Sequence, residues 1–406
     1  MKISNNKIHF FNPGHEEAIR TANPHYTPPA SVCKMMSDLA LLPAWYGGDG
    51  DYVLMNETDE AFRFLFSLPA GIRPATRPIL PSELASLNPS TPFEASPWGL
   101  SPHSIRLFES FRKQDDRFVI PPWKEIYTRL TGRQTARECL AKIQSILPDA
   151  FASLTLPCFC STPDEIRRFM TENPPPYLLK TPYSCSGRGL YRMQTDDFDL
   201  QTSRWLAGSF KKQGAVSIEP ALDKVCDLAM EFFSDGSGHI RFEGLSVFET
   251  LSKDTYHGNI LGSQSFLEQQ ITPFIPVSHL HGIRQAVASI LTEALSHIYR
   301  GCLGVDMLVY RKNGSYAVHP FVEINVRFTM GLVALQLSSR LVDPPSCGQL
   351  VITCEKTDSK AYHTHLQMAA KYPLQLSGSR IRAGYLSLCP VTPETHYHAY
   401  VLIKSL

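Results

Sequence analysis

The strongest chemical signal in this chain is Glu323-Ile324-Asn325-Val326-Arg327, read together with Asp306 upstream. In a strand, alternate residues share a face, so Glu323, Asn325 and Arg327 project together while Ile324 and Val326 turn the other way. Between Asp306 and Glu323 lies Arg311-Lys312-Asn313-Gly314-Ser315, and Asn-Gly is the strongest short-range signal for a two-residue hairpin turn. A turn there pairs Lys312 with Ser315. Counting outward sets Asp306 opposite Phe321 and diagonal to Glu323, on the same face and on the order of 7 Å away. Two carboxylates, an amide oxygen and a guanidinium on one face suit a hard cation carrying phosphate, because magnesium takes oxygen ligands from a few carboxylates and from substrate phosphates. The same alternation also describes a half-exposed antiparallel strand, so the pattern alone leaves both readings open.

A second segment is Lys180-Thr181-Pro182-Tyr183-Ser184-Cys185-Ser186-Gly187-Arg188-Gly189. A Lys leaving a strand into small residues and glycines offers an ammonium and a row of backbone N–H groups to phosphate oxygens. It is neither a Walker A loop nor a Gly-x-Gly-x-x-Gly turn, and alone it reads first as a surface turn. A third runs from Val216 to Glu231. Its strand ends at Glu219, where Pro220 forbids continuation as a central strand, and another strand starts near Asp227. This is either an acidic turn or an edge where backbone groups meet a base and a carboxylate meets a ribose.

In order and spacing, Lys180 with its Ser/Gly loop, Glu219-Pro220 with Asp227, Gly304-Val305-Asp306 and Glu323-x-Asn325-x-Arg327 resemble the ATP-grasp superfamily, which includes D-alanine ligase, biotin carboxylase and carbamoyl-phosphate synthetase. The resemblance covers residues 125–335. It implies an ATP-grasp architecture of mixed α/β type, α+β in part: an N-terminal α/β domain with a Pro-rich connector (1–124), a small lid subdomain with the phosphate loop (125–215), and a larger mixed or antiparallel sheet subdomain with a C-terminal extension (216–406). It further implies ATP and one or two Mg2+ ions, with Mn2+ as a substitute. Lys180 would contact the phosphates, and Ser184, Ser186, Gly187 and Gly189 would belong to the closing loop. Glu219 and Ala221 would hold adenine and Asp227 the ribose. Asp306, Glu323 and Asn325 would ligate the metal, and Arg327 would stabilise the transferred phosphoryl group. A second nucleotide-contacting cation is expected before the lid; Arg133, at a helix start, is the candidate, with Lys124 and Arg129 behind it. The chain departs from D-alanine ligase at Gly304, where that enzyme has Arg two residues before its metal Asp.

The activity implied is a ligase that activates a small-molecule or peptide carboxylate as an acyl phosphate for attack by an amine. Positioning and charge neutralisation do most of the work of phosphoryl transfer, and a closing loop keeps water from the intermediate. An ATP-grasp kinase and a catalytically silent nucleotide-binding protein are the rival readings. On the substrate side, Asn12 and His15 lie in Asn12-Pro13-Gly14-His15-Glu16-Glu17 at a strand-to-helix junction, which reads either as helix capping or as an anion site. His257 and Asn259, in Tyr256-His257-Gly258-Asn259, are placed on a loop that could line the acceptor pocket.

The elements that must position these residues follow from periodicity. Strand and helix alternate through the first 95 residues, with helices near 31–42 and 61–67 and a strand at 52–55. The Pro- and Ser-rich stretch 69–102 reads as an irregular connector. Helices return near 104–114, 134–146 and from 162, then a strand at 177–180 and one long helix near 278–299. The final residues show strand-like runs at 383–389 and 399–403.

Composition sets outer limits. With 406 residues, two to three domains are expected. Lys plus Arg total 39 against 38 Asp plus Glu, so no basic excess draws nucleic acid. No stretch reaches the roughly 18 apolar residues of a membrane span, and the N-terminus lacks the apolar core of a signal peptide. Ten cysteines are scattered, with Cys158 and Cys160 lacking a second pair for zinc. Free thiols and a cytoplasmic location are the expectation. A homodimer is left open.

Overall fold

Asn6–Phe10 (β1) alternates so that Ile8 packs with Phe93, Phe108 and Phe118 in one core cluster. The computed structural model describes residues 6–87, 92–112, 118–184, 189–251 and 255–405. These fall into two compact units: Met1–Lys124, His257–Leu267 and Arg327–Leu406 form the first, Glu125–Tyr256 and Glu268–Val326 the second.

The first unit holds a five-stranded sheet that adds Tyr52–Leu54 (β2), Arg77–Ile79 (β3), Phe93–Pro97 (β4) and Phe118–Val119 (β5) to β1. Every pairing is parallel and the order is β3-β2-β1-β4-β5. Ile8, Leu54, Ile79 and Ala95 bury in one cluster, while Val53 and Phe11 bury in another. Both faces are thus covered, as parallel sheets require. The stretch 69–102 is therefore not an irregular connector, since it supplies β3 and β4. Both strands are short and carry Pro78 or Pro97, and Glu94 and Ser96 hide the apolar pattern of β4.

The second unit begins with a four-stranded antiparallel sheet: Cys158–Cys160 (β6), Tyr177–Lys180 (β7), Leu190–Met193 (β8) and Val216–Pro220 (β9), in the order β6-β9-β7-β8. The helix Pro163–Glu172 is capped by Thr162 and Glu165 in a reciprocal box. Its Ile166, Phe169 and Met170 bury against Tyr177, Leu179, Val216 and Ile218. The larger sheet pairs Asp223–Asp235 (β10) with both Ile240–Leu251 (β11) and a strand beyond Thr255–Leu261 (β12), namely Arg300–Lys312 (β13). Ser315–Asn325 (β14) closes the hairpin on β13. The helix Val277–Leu295 buries Leu280, Ile283, Val287, Ile290 and Leu291, an i, i+3, i+4 stripe.

The C-terminal residues return to the first unit as Ser346–Cys354 (β15), Gln375–Ser377 (β16), Arg380–Ser387 (β17) and Tyr397–Ser405 (β18). β15 pairs antiparallel with β12 and β18, and β17 with β18 and β16.

Candidate functional site

The turn forms as the sequence predicts, with Asn313 and Gly314 at positive φ and Lys312 opposite Ser315. The register then changes. Leu308 faces His319, but Asp306 faces Glu323 directly, not Phe321. Met307 is thus matched by three residues of β14, beginning with Pro320. Proline has no N–H for the ladder and is confined to edges and bulges, so the strand bulges there. Two extra residues preserve side-chain parity, which leaves Asp306 and Glu323 on one face as an opposed pair.

One row across the sheet reads Ala229, Asp306, Glu323, and the next reads Glu231, Gly304, Asn325. Asn325 faces a glycine across the ladder, and its Nδ2 donates to Asp306 Oδ2 at 3.0 Å. Glu231 is also flanked by Gly244 on β11 and is 2% exposed. It helps push the half-buried Tyr256 phenol above its usual range, after desolvation itself. Asp306, Glu323 and Asn325 present oxygen donors, which fit a hard cation. Among the described residues no cluster of three or more His, Cys, Asp or Glu side chains forms a metal site.

Arg133 opens the helix Arg133–Ile146 and is buried. Its Nε donates to the Thr181 carbonyl at 3.2 Å and its Nη2 to Ser184 Oγ at 3.0 Å. The same Nη2 lies 3.1 Å from Glu323 Oε2. One guanidinium therefore ties the loop after β7 to the acidic strand. Gln213 exchanges two hydrogen bonds with the Tyr183 backbone at 2.9 Å each, which anchors the loop's first residues. At the far end, a Cβ on Gly189 would lie 2.1 Å from Thr181 Oγ1 and 2.6 Å from Ser184 Cβ, so only glycine fits. Ser186 and Gly187 lie outside the described residues. Arg129 pairs with Glu138 on the surface at 2.8 Å.

Lys180 is 4% exposed, with Nζ 2.5 Å from Glu219 Oε1 diagonally across β7 and β9. His319 is buried beside them. Desolvation first, then the Lys180 charge, lower its pKa to about 4 against the opposing pull of Glu219. Asp227 accepts from Lys224 Nζ at 2.7 Å and Thr250 Oγ1 at 3.0 Å. The Ala221 N–H donates to the Pro176 carbonyl at 2.8 Å, so that donor is not open to a base.

No family model matches the chain, and no curated protein does. Solved structures do. The Campylobacter jejuni biotin carboxylase complex superposes with a TM-score of 0.53 at 11% identity, over 98% of this chain and 87% of that one. The biotin carboxylase domain of Hydrogenobacter thermophilus 2-oxoglutarate carboxylase gives 0.53 at 12%, over 99% and 86%. N5-carboxyaminoimidazole synthetase from Staphylococcus aureus gives 0.49 at 12%, over 100% and 94%. The chain has the ATP-grasp fold.

Within this fold, Arg327 does not stand where strand alternation sets it. β14 ends at Asn325, so the period of two no longer applies. Within the first unit, Arg327 Nε donates to Glu16 Oε1 at 2.7 Å and Nη1 to the Phe328 carbonyl at 3.1 Å. Asn12 is buried and satisfied by Gly99: its Nδ2 donates to the Gly99 carbonyl at 2.8 Å and its Oδ1 accepts the Gly99 N–H at 3.1 Å. His15 is buried against Gly99, where a Cβ would lie 2.1 Å from the imidazole Cγ. His257 and Asn259 are not on a loop. Both lie within β12, where Gly258 lets the Leu350 carbonyl approach to 2.1 Å of the missing Cβ position. Glu16, Glu231 and His319 were not singled out by sequence. Alternation from Asp227 through Ala229 to Glu231 could have found the second, and alternation back from Glu323 the third.

Proposed function

We propose that this chain is an ATP- and magnesium-dependent ligase that activates a carboxylate as an acyl phosphate and joins it to an amine. The observation that supports it most directly is Arg133, which bonds both the phosphate-loop Ser184 and the acidic-strand Glu323. A cation shared by these two places suits a site where phosphate and metal meet. Nucleotide complexes of similar folds add support: the Campylobacter protein was crystallised as a β-γ-ATP complex and the Hydrogenobacter domain with MgADP and bicarbonate.

Asp306, Glu323 and Asn325 would hold magnesium, which with ATP supplies the phosphoryl group and the neutralising charge. Lys180 and Arg133 bind phosphate oxygens, Ser184 and Gly189 frame the loop, and residues 125–215 act as the lid. Glu219 reads the base and Asp227 the ribose hydroxyls once Lys180 and Lys224 exchange partners. The phosphate-facing cations are assigned to Arg133 and Lys180; Arg327 bonds Glu16 through Nε and the Phe328 carbonyl through Nη1. These groups act by position and charge, which is what phosphoryl transfer asks of a protein.

The test is ATP turnover with pooled amino acids and dipeptides, with and without hydroxylamine. Hydroxamate formation with release of ADP is expected. A phosphorylated product without hydroxamate would instead identify a kinase, and no nucleotide turnover or binding would remove the reading.

A further inference from the structure

The second unit carries a pocket that none of the nucleotide-site residues lines. Three elements of that unit form its walls: the helix Arg133–Ile146 through Gln134 and Arg137, the segment 155–159 that runs into β6, and the end of the helix Pro163–Glu172 with Asn173. Its volume is about 600 Å3, within the range of small-molecule sites.

Arg137 supplies the donors. Its Nε donates to the Pro157 carbonyl at 2.8 Å, which fixes the guanidinium plane and leaves both Nη groups without a partner among the described residues. Those four N–H bonds form the outer fork that matches a carboxylate. The acceptors come from the end of the other helix. Glu172 is exposed, and its carboxylate has no partner among the described residues. Asn173 spends Nδ2 on the Phe169 carbonyl at 2.9 Å and keeps Oδ1 as an acceptor. Gln134 Nε2 reaches Glu138 Oε1 at 3.5 Å, and the Thr155 hydroxyl can donate or accept. Leu156, Pro157, Phe159 and Phe169 supply the apolar lining.

Arg137 and Glu172 thus line one pocket with opposite charges and form no ion pair with each other. Such a set suits a ligand that brings the same two charges reversed. Phosphate or another simple anion would meet the Glu172 carboxylate, and a simple cation would meet Arg137. A zwitterion satisfies both.

We propose that this pocket binds a zwitterion with an apolar side chain, a free amino acid or a short peptide. The ligand carboxylate takes the Nη edge of Arg137. Its ammonium donates to Glu172 and Asn173 Oδ1, and its side chain lies on the apolar lining. Occupancy of this pocket does not depend on the ligase reading.

A ligase's own substrate site could also take amino acids, so binding is read at Cys158, which lines the pocket. Cys158 is half-buried, whereas Cys160, with its Sγ 3.8 Å away, is buried and its thiol is pushed up to about 12 by desolvation first. Iodoacetamide should therefore label Cys158 of the two. Its labelling rate in the full-length protein is followed by mass spectrometry, with L-leucine or L-leucyl-L-leucine added. Labelling should slow to a saturating limit, and the probe with the lower half-protection concentration tells amino acid from peptide. The N-acetyl and C-terminal amide forms, each lacking one charge, should need about tenfold more. Arg137→Lys should raise the half-protection concentration about tenfold, and Glu172→Gln, at an exposed position that leaves the fold intact, about threefold. Equal labelling rates with and without both probes would overturn the site, as would protection unchanged in Glu172→Gln. Equal protection by the N-acetyl form would show an anion site and overturn the zwitterion.

Discussion

Arg133 Nη2 lies 3.1 Å from Glu323 Oε2. A residue at the start of one helix thereby neutralises a carboxylate on a strand 190 positions later in the chain. Replacing the planar fork breaks bonds to the Thr181 carbonyl and Ser184 as well. Arg133→Lys keeps the charge but cannot make three directed contacts. It should lower kcat/KM for ATP by about 100-fold, with most of the loss in KM, measured by ADP release.

Glu323→Ala removes one oxygen donor from the opposed acidic pair. Magnesium-dependent turnover should vanish while the melting temperature holds within a few degrees, because the side chain is partly exposed and the ladder is backbone. Full activity in this variant would remove Glu323 from the site.

Lys180 and Glu219 are a buried pair, so removing one partner strands the other. Lys180→Met should cost about 3 kcal/mol in urea unfolding. Combining it with Glu219→Gln should recover much of that stability without restoring ATP turnover, which separates the structural role from the phosphate role.

Gly189→Ala places a methyl where Thr181 Oγ1 and Ser184 already sit. Turnover should fall by at least about tenfold through displacement of the loop, with unfolding little changed. Thr181→Ser in the same chain still leaves the Oγ1 clash, so it should not rescue.

Burial keeps His319 neutral until about pH 4, whereas an unfolded imidazole titrates near about 6.5. The unfolded chain therefore binds a proton first. Stability is full above about pH 6.5 and declines as pH falls toward 4, by on the order of 3 kcal/mol from this residue. His319→Gln should flatten that part of the profile. Equal acid losses in both proteins would show that His319 is not the titrating group.

Much of this was legible from residue order. The Asn313-Gly314 turn, the strand 177–180, the helix from Arg133 and the face shared by Asp306 and Glu323 all follow from local chemistry, and the ATP-grasp fold follows from motif order. What stayed hidden depends on partners distant in sequence. β3 and β4 are strands because β1 and β2 lie beside them, not because their residues alternate. Arg327 leaves the strand pattern because Glu16, more than 300 residues earlier, captures its guanidinium. Glu231 shows its environment only when Gly244 and Gly304 are seen on either side.

The bulge at Pro320 divides the β13–β14 hairpin into two segments in series. Its tip, from Leu308 and His319 to the turn, keeps one register, and its base, which carries the acids, keeps another. A hairpin built this way insulates its base from its end. Residue pairs added to or removed from the tip change how far it reaches but not which residues face each other below the proline. The Asn313-Gly314 end is thus a natural point for inserting a reporter or affinity sequence, where the opposed carboxylates have no mechanical link to the added length.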